Sequence, residues 1–429
     1  MITRKGGAVW SWCMYDWANS AFATTMMAAV LPAYYSMVAA ADLGKTGASS
    51  YWGYTNTIAM FIMAIVAPVL GAMADHGGTR KKYLGVFASV GVLCTGFMVL
   101  VSTGDWLMAS ILYIVARIGF AGGNIFYDAL LPHVAGKDRI DQVSAYGFGL
   151  GYLGGGILLT LNLAVVTKPC LFGIPDAEWG SRLSFLSVAV WWAVFSIPLF
   201  KNVAEPPIRR IEGESRNPLK AGCQRLGSTF GAIKQFREAF KFLIAFWLYN
   251  DGIGTIIVMA VVFGAEVGIG QSTLIGAILA VQFIGFPCSI LFGRLAGHLG
   301  ARNCILLGLI VYTGIAISGY FLSTPLHFWT LAFLVGTVQG GTQALSRSLF
   351  GSMIPRFRTA EFFGFYDVSS KFAGIFGPLL FGILGQLTGS GRLGIIALII
   401  FFIAGGVLLL QVNQDEGMRA ASGVERQAF

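Results

Sequence analysis

The chain has 429 residues, of which 56% are hydrophobic and only 11% are charged, whereas about 25% of the residues in a typical soluble domain are charged. This composition excludes a soluble protein and indicates an all-α protein that crosses a membrane many times. The formal net charge of +9 indicates basic loops on one side of that membrane and not a nucleic-acid partner.

Twelve continuous apolar runs follow one another along the chain, each about as long as the roughly 20 residues that a helix needs to cross a bilayer. Since the apolar residues do not alternate with polar ones, the runs predict helices and not the strands of a barrel. The first run is too long and polar for a cleavable signal peptide. The runs cover residues 11–38, 52–74, 84–103, 106–128, 143–166, 182–200, 242–264, 273–293, 303–323, 328–349, 363–387 and 392–411.

The runs group into two predicted bundles of six transmembrane helices, residues 1–200 and 242–411, with a linker at 201–241 and a cytoplasmic tail at 412–429. The linker carries nine basic residues. Its part from Gly222 to Lys241 is either an amphipathic helix on the inner leaflet, where anionic lipid attracts Lys and Arg, or a solvated tether. Six scattered cysteines form no C-x-x-C pair, so we expect no disulfide framework.

Basic residues mark one side of the predicted helices. With the N-terminus inside, the outer segments hold only Lys45, Lys168, Arg182 and Arg392. Because cytoplasmic loops carry an excess of Lys and Arg, we expect both termini in the cytoplasm. The inner segments outside the linker hold Arg4, Lys5, Arg80, Lys81, Lys82, Lys137, Arg139, Arg294, Arg302, Arg356, Arg358, Arg419 and Arg426.

The two halves contain related segments at a constant offset of 222 residues. Gly71, His76, Gly78 and Arg80 follow the second run, and the same residue types recur at positions 293, 298, 300 and 302 after the eighth. Two six-helix halves related by duplication are a known transporter plan, in which the substrate site lies at mid-membrane between the halves.

Two glycine-rich segments predict local packing. Gly147, Gly151 and Gly155 recur at a spacing of four in the fifth run, which predicts close contact with another helix. The G-x-G-x-x-G pattern at 149–154 is not a dinucleotide site, because no strand precedes it. The glycines around Pro378 predict a bendable packing segment in the eleventh helix.

The segment from Gly71 to Arg80 reads G-x-M-A-D-x-x-G-x-R and resembles the loop signature between the second and third helices of the major facilitator superfamily. The resemblance implies that Asp75 and Arg80 lock the cytoplasmic side by engaging the other half, at the start of the eleventh helix. The second copy of the motif has Gly297 where the aspartate stands in the first, so it lacks this acidic role.

Four further segments resemble the family that includes the yeast autophagy-related vacuolar amino-acid effluxers and their bacterial relatives. The resemblance covers nearly the whole chain except the linker and the tail. It implies a major-facilitator fold in a bacterial inner membrane and export of a small metabolite such as an amino acid. The segments are YDWANS at 15–20, FYDALLP at 126–132, YNDG at 249–252 and QGGTQALSRS at 339–348.

Seven ionisable residues lie inside the apolar runs or at their inner edges. Each would cost about 2.5–3.5 kcal/mol on insertion scales if it faced lipid. They are therefore expected to face one another or a water-filled cavity. The seven are Asp16, Arg117, Asp128, Asp251, Arg347, Asp367 and Lys371.

We predict that part of this set binds substrate and part forms a gate. Two cations are expected to anchor a carboxylate, and two aspartates to hold an ammonium or a proton. The polar neutral residues could equally join helices, and structural ion pairs are the alternative for the charges. The predicted substrate-binding residues are Asp16, Asn19, Arg117, Asn250, Asp251, Gln339 and Lys371, and the predicted gating residues are Asp75, Arg80, Asp128, Arg347 and Asp367.

Enzyme signatures are missing, including H-E-x-x-H, G-x-S-x-G and the Walker motif, so we expect no cofactor and no metal. Without a nucleotide site the chain is not an ATP-driven pump, and protons are the simplest coupling ion. We predict a monomeric secondary transporter that moves a small polar metabolite by alternating access and contacts membrane lipids. The alternatives are a lipid or lysolipid flippase of the same fold and a receptor or scaffold that transports nothing.

Overall fold

The computed structural model describes residues 2–207 and 235–427, together with positions 220, 222, 224 and 227 between them. The described chain is nearly all helical, as predicted. Half of the linker segment expected to be either an inner-leaflet helix or a tether, from Gly222 to Lys241, lies outside the described residues.

The first half contains six long helices, one for each of the first six apolar runs. Helix α1 continues beyond its regular part to Ala39, through π-helical turns at Phe22–Ala29 and Tyr35–Ala39. The helices are α1 (Ile2–Ala21), α2 (Gly44–Gly77), α3 (Arg80–Phe97), α4 (Trp106–Val134), α5 (Ile140–Thr167) and α6 (Ala177–Asn202).

The second half repeats this plan, with two of its helices interrupted. Helix α7 begins at Arg237, before the start predicted at residue 242, so part of the predicted linker is helical. The helices are α7 (Arg237–Glu266), α8 (Gln271–Leu299), α9 (Ala301–Tyr320), α10 (Pro325–Ser352), α11a (Thr359–Phe372), α11b (Phe376–Thr388), α12a (Gly391–Ala397) and α12b (Ile399–Leu410).

Eleven candidate spans in the described chain are long and apolar enough to cross a membrane. The twelfth, α10, has 28 residues but is more polar, with Gln339, Gln343 and Arg347 in its second half. The twelve membrane-spanning helices in two groups of six that the sequence predicts are therefore present. The segment predicted as a tail contains a further helix, α13 (Gln414–Gln427).

The predicted glycine stripe of α5 packs against α1. A Cβ atom added at Gly151 would lie 2.6 Å from the hydroxyl of Ser20, and one added at Gly155 would lie 3.1 Å from its carbonyl oxygen. Only glycine therefore allows this approach of the two backbones, which is the small-residue packing that membrane helices use.

The halves meet on one side, which we call the basic face: the side where α2 ends and α3 begins, and where Arg80 and Arg356 lie. They also meet along α5, where Gly149 and Gly156 closely approach α8. Helix α11a packs there against α2 and α4, and α10 packs against α5. Helix α11b packs against α7 and α12a, with no comparable contact to the first half among the described helices. The halves are thus in contact at the basic face and along α5 and α8, whereas α11b packs within its own half.

Helix α11 is interrupted at residues 373–375, within the segment predicted to bend. Pro378 is the third residue of α11b, and the first N–H groups of a helix have no intrahelical partner, so the proline costs no hydrogen bond there. The interruption separates the part of the helix that is packed against the first half from the part that is not.

Candidate functional site

The loop motif at the end of α2 holds the start of α11a. The carboxylate of Asp75 accepts the Nε–H of Arg80 at 2.5 Å and the backbone N–H groups of Ala360 at 3.3 Å and Glu361 at 2.9 Å. A Cβ added at Gly71 would collide with the carbonyl group of Ala360. The motif therefore places a carboxylate at a helix N-terminus, where negative charge is stabilised, and the contact expected from the resemblance is present.

The backbone of Arg356 extends this contact toward the C-terminal helix. Its carbonyl oxygen accepts from Arg80 Nη2 at 3.2 Å and lies 3.0 Å from His133 Nε2. Its N–H donates to the carboxylate of Glu425 at 2.8 Å. A single residue of the second half therefore joins the first half to α13.

A second contact between the halves is formed by Arg347 of α10, which is 2% exposed. Its guanidinium donates to Asp128 at 2.9 Å and lies 3.3 Å from Asp16. It also donates to the hydroxyl of Ser144 at 2.9 Å and to the carbonyl of the same residue at 3.0 Å. Each of these partners belongs to the first half, so the Arg347 side chain joins the two halves.

Three aromatic rings of the first half enclose the same guanidinium. Its central carbon lies 4.3 Å from the ring centroid of Phe148, 4.9 Å from Trp12 and 5.5 Å from Tyr127, within the range of cation–π attraction. The hydroxyl of Tyr127 donates to Asp16 at 2.8 Å. We call Trp12, Asp16, Tyr127, Asp128, Ser144 and Phe148 together the cation box.

Arg117 of α4 has only neutral partners. It donates to the hydroxyl of Tyr113 at 2.7 Å and to the side-chain oxygen of Asn56, and the tyrosine donates to the same oxygen at 3.1 Å. Among the described residues, no carboxylate lies within ion-pair distance of this guanidinium. Arg117 is 11 residues, or about 16 Å at 1.5 Å per residue, from the start of α4. It is therefore a cation near mid-membrane whose charge is not neutralised locally.

Asp251 of α7 caps the broken eleventh helix. Its Oδ1 accepts the N–H of Gly377 at 3.0 Å, and its Oδ2 is buried and has no hydrogen-bond partner in the described chain. A Cβ added at Gly377 would overlap the hydroxyl oxygen of Thr255. The glycine thus lets the N-terminus of α11b approach the carboxylate, which keeps one oxygen for another group.

The Arg117 and Asp251 groups flank one contact between the halves. A Cβ added at Gly374, in the interruption of α11, would lie 3.9 Å from the Met60 methyl group of α2. Asn56, the partner of Arg117, is one turn before Met60, a rise of about 6 Å. Gly374 is three residues before Gly377, the partner of Asp251.

The structure therefore divides the predicted site residues into separate groups. Asp16 lies with the predicted gating residues Asp128 and Arg347 and not with Arg117. Lys371 has its own carboxylate partner, since it pairs with Asp367 at 3.1 Å one turn away on α11a. Their assignment to substrate binding stays a prediction.

The three neutral candidates lie in different surroundings. Asn19 donates to Asn124 at 2.6 Å, which joins α1 to α4 within the first half. Asn250 is half-buried beside the capping aspartate, and Gln339 is 9% exposed. No group of three His, Cys, Asp or Glu side chains in the described residues is suited to hold a metal.

Several residues of these contacts were not predicted from the sequence. Tyr113 precedes Arg117 by four residues, a helical spacing that the sequence does display. Tyr127 lies in the FYDALLP segment, beside Asp128. The remaining residues lie far apart in the chain and carry no local signal: Trp12, Asn56, Asn124, His133, Ser144, Phe148 and Glu425.

A family model described as "Vacuole effluxer Atg22 like" matches residues 4–422. The chain is 41% identical over 408 residues to an uncharacterized MFS-type transporter, YxiO, of Bacillus subtilis, covering 94% of each chain. It is 25% identical over 461 residues to autophagy-related protein 22 of Yarrowia lipolytica, covering 87% of this chain and 77% of the other.

Two solved structures have a similar architecture. The proton:xylose symporter XylE, bound to 6-bromo-6-deoxy-D-glucose, aligns with a TM-score of 0.72 at 13% identity, over 99% of this chain and 98% of that one. The transporter FucP in its outward conformation aligns with a TM-score of 0.68 at 10% identity, over 95% and 98%. At such identities the likeness shows the fold alone.

Proposed function

The chain belongs to the Atg22-like family of MFS-type membrane transporters, and from this premise we propose that it exports a small polar metabolite, an amino acid or a similar zwitterion, by alternating access. The observation that carries the proposal is the pair of opposite charges near mid-membrane. Arg117 in the first half has no carboxylate partner in the described chain, and Asp251 in the second half has a buried oxygen with no partner.

An α-amino acid carries the two opposite charges that would pair with these two groups. Its carboxylate matches the guanidinium of Arg117, which forms strong, paired hydrogen bonds with carboxylates. Its ammonium matches the free oxygen of Asp251. Since a buried charge is costly unless it is paired, a ligand that supplies both partners would be favoured over one that supplies neither.

The location of the two groups supports a site shared by the halves. They flank the contact between Met60 and Gly374 at the interruption of α11. From that point α11b packs within its own half, and we propose that the two halves part there to admit a substrate. A substrate bound there would contact both halves, as alternating access around a midplane site requires.

We further propose that the basic face is the cytoplasmic face of a bacterial inner membrane, following the distribution of Lys and Arg in the loops. The arrangement described above is then the outward-facing state. The contacts of Asp75 with α11a and of Arg347 with the cation box form its closed inner gate.

We also propose that protons couple to transport. Asp251 is a carboxylate that either caps α11b in its charged form or carries a proton, and neutralising it would weaken the cap. This gives one residue that senses a proton and also holds the part of helix α11 beyond the interruption.

Flux in sealed proteoliposomes tests the function. The purified chain is reconstituted into vesicles that are loaded with a panel of radiolabelled amino acids, and efflux is measured with and without an imposed pH gradient. Movement of a fluorescent lysolipid is measured in parallel. The proposal expects efflux of at least one amino acid, altered by the gradient, and no lysolipid movement. Lysolipid movement without metabolite flux would instead support a flippase, and no flux of any kind would support a receptor or scaffold.

A further inference from the structure

We propose that the cation box is a ligand site in its own right, which binds the ammonium or guanidinium group of a substrate once the halves part at the basic face. The inference rests on the alternating access proposed above. It adds a second cation site, separate from Asp251, and limits its ligands to cations that carry N–H groups.

The box is built wholly by the first half, whereas the cation inside it comes from the second. Trp12 and Asp16 lie on α1, Tyr127 and Asp128 on α4, and Ser144 and Phe148 on α5. These helices pack against one another through their own contacts, so the box does not need Arg347 for its assembly. The Arg347 side chain reaches into the box from α10 of the second half.

The chemistry of the box favours one class of ligand, cations that donate hydrogen bonds. It presents two carboxylates, a backbone carbonyl and a hydroxyl oxygen toward the guanidinium, at 2.9–3.3 Å. Aromatic rings lie 4.3–5.5 Å from the guanidinium carbon. Aromatic rings attract cations in general, but the oxygen acceptors favour cations that donate hydrogen bonds.

Withdrawal of Arg347 would leave the box with two carboxylates and no cation. Breaking a buried pair by removing one partner is strongly unfavourable. Any arrangement that opens the basic face must therefore supply water or another cation to this position. A substrate ammonium from the cytoplasm meets that need and competes with the arginine for the same oxygens.

Because of this competition, a bound substrate cation and a closed basic face exclude each other. While a substrate cation occupies the box, Arg347 cannot return and the basic face stays open. When the arginine returns, the substrate cation is excluded from the box and must move to another carboxylate; among the described residues, Asp251 and Asp367 each have a buried oxygen without a hydrogen-bond partner. Closure of the gate and forward movement of the substrate would then be one event.

Deleting the arginine side chain and supplying a free guanidinium compound in its place tests the box without any transport assay. The full chain carrying Arg347→Ala is purified, and its binding of methylguanidinium is followed by calorimetry and by the thermal unfolding midpoint. We expect saturable binding and a raised midpoint, with neither effect from the neutral probe methylurea. Tetramethylammonium, which has no N–H group, should bind about tenfold more weakly.

Two variants make the result specific. Adding Asp128→Asn to Arg347→Ala should weaken methylguanidinium binding by about tenfold. Arg117→Ala, which removes a guanidinium that has only neutral partners, should not create such a site. Equal responses to methylguanidinium and methylurea in Arg347→Ala, or equal binding by the two arginine variants, would overturn the proposal.

If Arg347→Ala does not yield folded protein, the chain with Arg347 intact serves instead. Spin labels at Lys82 and Asn303, one in each half and both exposed on the basic face, report the separation of the halves. Methylguanidinium should increase the open fraction and methylurea should not; an unchanged distance with both probes would contradict the box. Since neither test measures flux, a failed box leaves the transport proposal standing, and a failed transport assay leaves the box measurable.

Discussion

The carboxylate of Asp75 and the backbone N–H of Glu361, 286 positions apart in sequence, are joined at 2.9 Å. This hydrogen bond fixes the N-terminus of α11a to the end of α2. It belongs to the same basic face as the Arg347 contact, so two independent charged groups hold the halves together there.

The first prediction is that Asp75→Asn favours opening of the basic face. The amide can still accept a hydrogen bond, but the charge at the helix N-terminus is lost, and such a charge is worth about 0.3–1 kcal/mol. The ratio of open to closed molecules should therefore rise at least about twofold, as measured by the distance between spin labels at Lys82 and Asn303. Asp138→Asn, an exposed carboxylate on the same face, is the control and should leave the distance unchanged.

The second prediction concerns the interruption of α11. Gly377→Ala should reduce flux strongly, because its Cβ would overlap the hydroxyl of Thr255 and lie 3.0 Å from the carboxylate of Asp251. Adding Thr255→Ala should restore part of the flux by removing the overlapping oxygen. Gly382→Ala, in the same helix with nothing within 4 Å of the added atom, should transport normally. Similar losses in both glycine variants would show that helix propensity, not this contact, matters.

The third prediction concerns the C-terminal helix. Glu425→Ala removes the carboxylate that accepts the N–H of Arg356 at 2.8 Å. Because the carbonyl of Arg356 contacts the first half, loss of this support should increase the open fraction at the basic face. A loss of about 0.5–1.5 kcal/mol, typical of one hydrogen bond, corresponds to a change of roughly two- to tenfold. Glu416→Ala, an exposed carboxylate on the same helix, is the matched control, and an equal effect from it would exclude a specific role for Glu425.

Much of the fold could be predicted from the sequence, because membrane helices leave a direct signal. Each apolar run became a helix or a pair of helix pieces, and the glycine spacing in α5 identified a real packing face. The motif around Asp75 also indicated its partner, because its resemblance to the major facilitator loop signature implies a contact with the start of the eleventh helix. These features depend on local composition or on a short motif that resembles a known one.

The cation box could not be predicted in the same way. Its members are joined across sequence separations such as the 331 positions between Asp16 and Arg347, and which faces of α1, α4, α5 and α10 meet is decided by packing. The sequence indicated that the charges must find partners but not which ones, so Asp16 was grouped with Arg117. The helix in the tail does have a sequence signal, because asparagine is favoured at the start of a helix. Asn413 caps this helix by accepting the N–H of Glu416 at 3.1 Å.

The most direct test of the whole account is efflux of the transported amino acid from proteoliposomes containing Arg117→Ala. Removing this mid-membrane guanidinium, whose partners in the described chain are neutral, should lower flux by at least about tenfold, because a charge-assisted hydrogen bond to the substrate carboxylate is worth about 1.5–3 kcal/mol. Expression and the unfolding midpoint should stay near those of the unmodified chain. Arg302→Ala, which removes a half-buried arginine bonded to the carbonyl of Val412, should keep its flux. Normal flux in Arg117→Ala would contradict the proposed site and the substrate class inferred from it.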